Sequence, residues 1–470
     1  MQVVFSFDTE DYVDPVSNDA LKTLAESHTA HGVPACFGLV GEKARFLRNC
    51  GRLDVIEAVC RHEVGYHSAH HFMQPDNEYE QVFTPEHMEC ESWDRALTRL
   101  VAEEARGLHD VAEIFGTRPV TWLRTYGDWA PQYLTALERL GIGVYAYGPP
   151  FHIVDPQPIW YCNQLVIANP RMSYESNLHR TDLTAEEKLD EQKRVFLSHL
   201  ESGTERLGIV THPTRFISDI WWEEPNWWNG IVDAPPREHW VAPPRFGPEK
   251  IRELLWIVDE FLCFVSGLAE VEPMTFRQFW DEREPTQSWC SRREVRALAK
   301  QCLEANRPCV VKRDSGTFLS PAELFGVLLF ALANPDAEDV PVRKLIGPTE
   351  EPHVGEIDRG APMDAFLADC QRAELCLRDS GRVPHRVEMC VGAVGPGSFL
   401  LAMAAALSVD PAANAVPVHT IDNLPAPMHE NDYETLASRP PCCYIQKRGE
   451  FAFPRTIRYG QLQYWTVKPA

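Results

Sequence analysis

The chain has 470 residues, 44% of them apolar and 24% charged, which is enough for two domains with full cores. The formal charge is −23, and residues 1–285 carry 25 basic against 46 acidic side chains. A surface this acidic repels phosphate backbones and argues against nucleic acid as a partner, and no run of 18 apolar residues offers a membrane span.

Val3 to Phe7 is a short, mostly apolar run and reads as a buried strand. Ser17-Asn18 offer N-cap chemistry for a helix through His31, with Ala20, Leu21, Leu24 and His28 on one face and Gly32 as the stop. Pro34 to Val40 reads as a second strand, Leu53 to Cys60 as a helix, and Glu63 to His67 as a third strand that ends in histidine. A long helix carries Trp93, Leu97, Leu100, Val101, Leu108 and Val111 at helical spacing. Then follow a strand over Val120 to Arg124, a helix over Pro131 to Leu140 and a strand over Ile142 to Tyr147. After these come a helix from Ala185 to Leu200, a strand from Leu207 to His212, a helix from Glu249 to Gly267 and a closing strand from Val271 to Phe276. Strands alternating with helices predict parallel βα units, and six or seven of them predict a barrel. In such barrels functional groups gather at the carboxyl ends of the strands. Asp8, His67, Arg124 and His212 each fall at such an end, so residues distant in sequence are expected to converge on one face.

The character of the chain changes near Glu284-Pro285, giving a first domain over 1–285 and a smaller, mainly α module over 286–470. Within the module Pro308 to Leu332 resembles Pro384 to Leu407: a proline, an extended stretch, a Pro-containing turn and an apolar helix. The 14 cysteines show no CxxC pair and read as buried free thiols. The amino terminus has no basic region followed by an apolar stretch, so a cytoplasmic protein is expected.

Four segments carry chemistry. His67-Ser-Ala-His70-His71 places two histidines four apart, which on a helical turn puts both imidazoles on one side, as a divalent metal requires; a His-rich surface loop has the same spacing. Asp8-Thr9-Glu10-Asp11 packs three carboxylates into four positions, which repel unless a cation or shared proton compensates; an acidic N-cap is the plainer alternative. His212 ends a strand and suits a general acid near neutral pH, or else is a satisfied core histidine. Arg124 can orient a carboxylate and a backbone N–H near Tyr126-Gly127 can face an oxyanion, or the two form a surface ion pair and turn.

Together these segments resemble the polysaccharide deacetylases (NodB-homology, carbohydrate esterase family 4). Phe7 to Asp11 is similar to the first motif, Thr-Phe-Asp-Asp-Gly. Gly32 to Glu42 is similar to the stretch after the first helix, and His62 to His71 to the second motif, H-[ST]-x-x-H with Glu-Val-Gly before it. Arg124 to Gly127 is similar to the third motif and Val210 to His212 to the fifth. The resemblance implies a distorted (β/α) barrel over residues 1 to 283 with a divalent metal, often zinc, held by His67, His71 and a carboxylate. It also implies Asp8 as general base, His212 as general acid, Arg124 steadying Asp8 and the Tyr126 N–H in an oxyanion hole. Two departures stand out. The first motif reads Asp-Thr-Glu-Asp, and the third lacks a proline before tyrosine. Alternation along an extended strand puts Glu10 on the side of Asp8 and makes it the third ligand, with Asp11 as the alternative.

An insertion over 216 to 244 brings Trp221-Trp222, Trp227-Trp228 and Trp240 directly after His212, as a lid or sugar platform or as packing of a long loop. The expected activity is metal-dependent removal of N- or O-linked acetyl groups from a carbohydrate or sugar precursor. The alternatives are a hydrolase of small C–N substrates such as cyclic amides or ureides on the same fold, with or without metal, and a non-catalytic carbohydrate-binding protein. The repeat in the module faintly resembles pseudomurein-binding repeats, which would imply binding of wall polymer.

Overall fold

Val3-Val4-Phe5-Ser6-Phe7 has no polar face to offer water, and it forms β1 (Gln2–Thr9), buried on both sides. The computed structural model describes residues 1–71, 85–125, 130–146, 157–167, 171–227, 236–283, 288–408, 414–426 and 454–470. They divide into two compact units.

The first unit comprises the described residues within 1–146 and 166–282. After β1 come α1 (Val16–Ala30), β2 (Ala35–Leu39), α2 (Gly41–Asn49), α3 (Leu53–Val59) and β3 (Glu63–Tyr66). Next are α4 (Trp93–Phe115), β4 (Thr121–Leu123), α5 (Pro131–Arg139), β5 (Val144–Ala146), β6 (Arg171–Ser173) and α6 (Glu175–Leu178). The unit ends with α7 (Ala185–Glu201), β7 (Arg206–Thr211), α8 (Glu224–Trp227), α9 (Pro248–Ser266) and the two-residue β8 (Glu272–Pro273).

The strands pair in parallel in the order β5-β4-β3-β2-β1-β7-β6, and β8 pairs with the start of β1. This is the expected alternation of strand and helix, a distorted (β/α) barrel whose described strands follow an open path. Phe7 stacks on Phe37 of β2 at 4.7 Å and 11°. A Cβ on Gly38 would lie 2.6 Å from the Leu123 side chain, so glycine is what lets β4 cover β2. Because the pairing is parallel, the carboxyl ends of β1, β3, β4 and β7 share one rim.

The structure revises several local expectations. Pro15, not Ser17 or Asn18, stands at the N-cap position of α1, and both of those residues are buried inside its first turn. The closing strand shrinks to β8, because Phe276 to Arg283 is a helix whose Phe276 and Phe279 are buried. The cysteines are free among the described residues, but Cys50, Cys60, Cys90, Cys263, Cys376 and Cys390 are exposed. No described helix is long and apolar enough to cross a membrane.

The second unit holds residues 157–165, 283–432 and 454–470, so a short stretch from inside the first 285 residues belongs to it. It contains one motif twice. Strand Trp289–Ser291, helix Arg292–Ala305, hairpin Val311–Lys312 with Phe318–Leu319, helix Pro321–Ala333 and strand Asp339–Pro341 form the first copy. Strand Asp358–Pro362, helix Met363–Ser380, hairpin Val387–Met389 with Gly392–Val394, helix Pro396–Ser408 and strand Ala415–His419 form the second. In each copy the last strand returns antiparallel to the first. The first helix of each copy packs on the second helix of the other, enclosing Phe325, Phe366 and Phe399 in one core.

Candidate functional site

Three buried side chains meet at the rim. Glu10 leaves the end of β1, and His67 and His71 come from the turn that follows β3. Nε2 of His67 lies 3.3 Å and Nε2 of His71 lies 2.7 Å from Oε2 of Glu10. One donor atom from each of the three lies within 4.8 Å of the others. Nδ1 of His67 is 2.8 Å from the Leu123 carbonyl at the end of β4, which fixes its proton there and turns Nε2 toward the centre. Trp222 Nε1 donates to Oε1 of Glu10 at 3.0 Å, leaving Oε2 to face the imidazoles.

Two imidazole nitrogens and a carboxylate oxygen match a zinc-type donor set. Oδ1 of Asp8, beside this group, is buried and accepts no hydrogen bond, as expected where a water or cation completes the site. The residues present therefore fit a divalent ion.

The spacing of the two histidines works by a route the sequence does not suggest. Residues 67–71 form a turn, not a helix, and Ser68 and His71 take positive φ of 78° and 57°. Asp11 faces elsewhere: Oδ1 accepts from the backbone N–H of Val13 and of Asp14, both at 2.9 Å, and Oδ2 accepts from Thr214 at 3.2 Å. It closes the turn into α1, and Glu10 is the carboxylate beside the histidines.

The second half of the site is an imidazole between two acids. His212, following β7, has Nδ1 2.6 Å from Glu175 and Nε2 3.4 Å from Oδ2 of Asp8. Glu175 also accepts from the His212 backbone N–H at 3.0 Å and from Thr211 at 3.2 Å. Sequence reasoning missed Glu175. It obeys the same rule as the others, since it follows the end of a parallel strand, but β6 is three residues long and half exposed, so no apolar run announces it.

Burial opposes ionisation of Glu10, yet His71 and His67 hold its carboxyl well below the usual range. Burial also keeps the His71 imidazole below its ordinary value, the neutral form a metal needs. In His67 the neighbouring Asp8 and Glu10 outweigh burial and raise it. In His212 burial is again outweighed, by Glu175 and then Asp8, and the imidazole is held well above its usual value.

Arg124 follows β4 but forms no ion pair with Asp8 among the described residues. The guanidinium near the acid–base pair belongs to Arg215, which covers the Trp221 ring at 4.7 Å and hydrogen-bonds His179 at 2.8 Å. Trp221, partly exposed, stands edge-on to His212 at 4.7 Å. Trp222 is fully buried, so it supports Glu10 and is no exposed sugar platform. Tyr126, Trp228 and the side chain of Trp227 lie outside the described residues.

No family model and no curated protein matches the chain. Solved structures do superpose. One is described as a polysaccharide deacetylase from Mycobacterium smegmatis, at 14% identity over 60% of this chain and 89% of that one, with a TM-score of 0.38. A second is the allantoinase Puue, at 12% identity over 61% and 91%, with a TM-score of 0.38. A third is a family 4 carbohydrate esterase from Streptomyces lividans in complex with acetate, at 13% identity over 56% and 89%, with a TM-score of 0.29. These superpositions are loose, and the site stands on its own geometry.

Proposed function

We propose that the chain is a metal-dependent hydrolase that removes N- or O-linked acetyl groups from a carbohydrate or sugar precursor. The observation that carries this reading is the juxtaposition of Glu10, His67 and His71 with an independent acid–base pair, Asp8 and His212. The motif resemblance over residues 1 to 283 points the same way.

Glu10, His67 and His71 would hold the ion, zinc by donor set. A bound zinc ion supplies polarisation of an acyl carbonyl and acidifies a water. Asp8, with Oδ1 unengaged by any hydrogen bond, accepts the proton of the attacking water. His212, kept protonated by Glu175, gives its Nε2 proton to the departing amine or hydroxyl. Trp221 walls the His212 side and limits access of bulk water.

The test is metal analysis with acetate release from N-acetylated and O-acetylated sugars. The His67→Ala protein is expected to lose both its zinc and its hydrolysis. Undiminished acetate release by metal-free His67→Ala would exclude the reading, and turnover of ureides but not acetylated sugars would redirect it to small C–N substrates.

A further inference from the structure

The turn that presents His67 and His71 is bent in a way its own residues resist. Serine and histidine rarely adopt positive φ, yet Ser68 and His71 do so at 78° and 57° within four positions. Such a conformation persists where surrounding contacts over-determine it. Those contacts come from both flanking helices. Backbone N–H groups of Gly41 and Glu42, at the start of α2, donate to the carbonyls of Ser68 and Ala69, each at 3.0 Å. The Tyr12 hydroxyl donates to the carbonyl of His70 at 3.3 Å, and Ser68 Oγ accepts from the His71 N–H at 2.9 Å. From α4, Glu103 pairs through its carboxylate with Nε2 of His70. The His70 side chain is 1% exposed, so this pair is shielded from competing water.

We propose that His70 and Glu103 are positioning residues that hold the turn 67–71 in its ligand-presenting form, and so set how tightly this site binds a divalent cation. The inference rests on the metal reading above. His70 is the residue immediately before ligand His71, so its side-chain tie to α4 fixes the peptide on which the second imidazole rotates. Backbone bonds from α2 fix residues 68 and 69 but do not reach that peptide, which is held by Tyr12 at its carbonyl, by Ser68 Oγ at its N–H and, through the His70 side chain, by Glu103. Once the tie is cut, His71 can relax to negative φ, and its imidazole swings away from Glu10. His70 pairs with Glu103, while Glu10 and Asp8 pair with His67, His71 and His212, so the tie acts on the site through His71.

The experiment measures zinc affinity of the full chain by competition with a chromophoric chelator, alongside the melting temperature of the zinc-free protein. His70→Ala and Glu103→Ala are expected to weaken zinc binding roughly 10- to 100-fold, the usual cost of removing a group that orients a ligand. Glu103→Gln, which keeps an acceptor for His70, is expected to retain most of the affinity, a rescue that simple destabilisation would not give. Should His70→Ala fail to fold, the Glu103 pair of variants decides alone. Zinc affinity in Glu103→Ala within twofold of the unaltered chain overturns the proposal while leaving the metal reading intact. No zinc binding by the unaltered chain overturns both.

Discussion

An imidazole lying between two carboxylates keeps its proton far longer than one in water, and His212 lies between Glu175 and Asp8. Its raised value means that it remains a competent acid as pH climbs beyond the ordinary histidine range. Replacing Glu175 by glutamine removes the largest influence opposing burial. The alkaline limb of kcat in Glu175→Gln should therefore move to lower pH, with kcat at pH 8 falling about 10²-fold, within the usual contribution of a general acid. A pH–rate profile of acetate release checks this, and an alkaline limb that stays in place would remove His212 from the acid role. Asp8, His67 and His212 were legible because each ends an apolar run, which gives both a strand and its carboxyl end. Glu10 was legible through strand alternation. Glu175 and Arg215 were not, since one follows a three-residue half-exposed strand and the other sits in the short 3-10 turn Pro213–Phe216 after His212.

The ligand turn is held against α4 by a close backbone approach as well as by side chains. A Cβ on Gly107 would lie 2.5 Å from Cα of Ala69 and 2.6 Å from the Tyr66 hydroxyl oxygen, and the first of these is main chain that cannot step aside. Gly107→Ala should destabilise the protein by about 1–3 kcal/mol, as overpacking does. Urea unfolding of the zinc-free protein measures it, and a midpoint equal to that of the unaltered chain would show that α4 and the turn are not in contact. The elements of the first unit were largely readable, since β1, β2 and β7 are apolar runs and α4 and α9 carry apolar residues at helical spacing. For the turn itself, a four-residue histidine spacing suggests a helical turn or else a His-rich loop. Two left-handed residues give the same convergence and leave no mark in composition.

Across the molecule, the weak likeness of Pro308–Leu332 to Pro384–Leu407 is the visible part of a larger duplication. The sequence showed the hairpin and second helix of each copy, because their prolines and apolar helices align. It hid the outer strands and first helices, which share shape but little pattern. Exchanged helix packing explains why both copies are needed to close one core. Stability of the whole chain should also carry a pH signature from beneath the ligand turn. Glu104 of α4 is fully buried, accepting from Tyr66 and Tyr133 at 2.5 and 2.6 Å, and burial together with Glu103 pushes its carboxyl from 4.5 up to about 7. Folding therefore favours its protonated form. The stabilisation is fully present below about pH 4.5, where both states hold the proton, and is lost as pH rises through about 7. With one pKa unit equal to about 1.4 kcal/mol, roughly 3 kcal/mol is at stake. Glu104→Gln keeps one acceptor oxygen for a phenol, turns an N–H donor to the other, and cannot ionise. Its stability relative to the unaltered chain should rise by roughly that 3 kcal/mol between pH 5 and pH 8 when urea unfolding is compared at each pH, because the remaining groups cancel in the difference. A difference that stays constant between the two pH values would mean that Glu104 is ionised in the folded protein throughout.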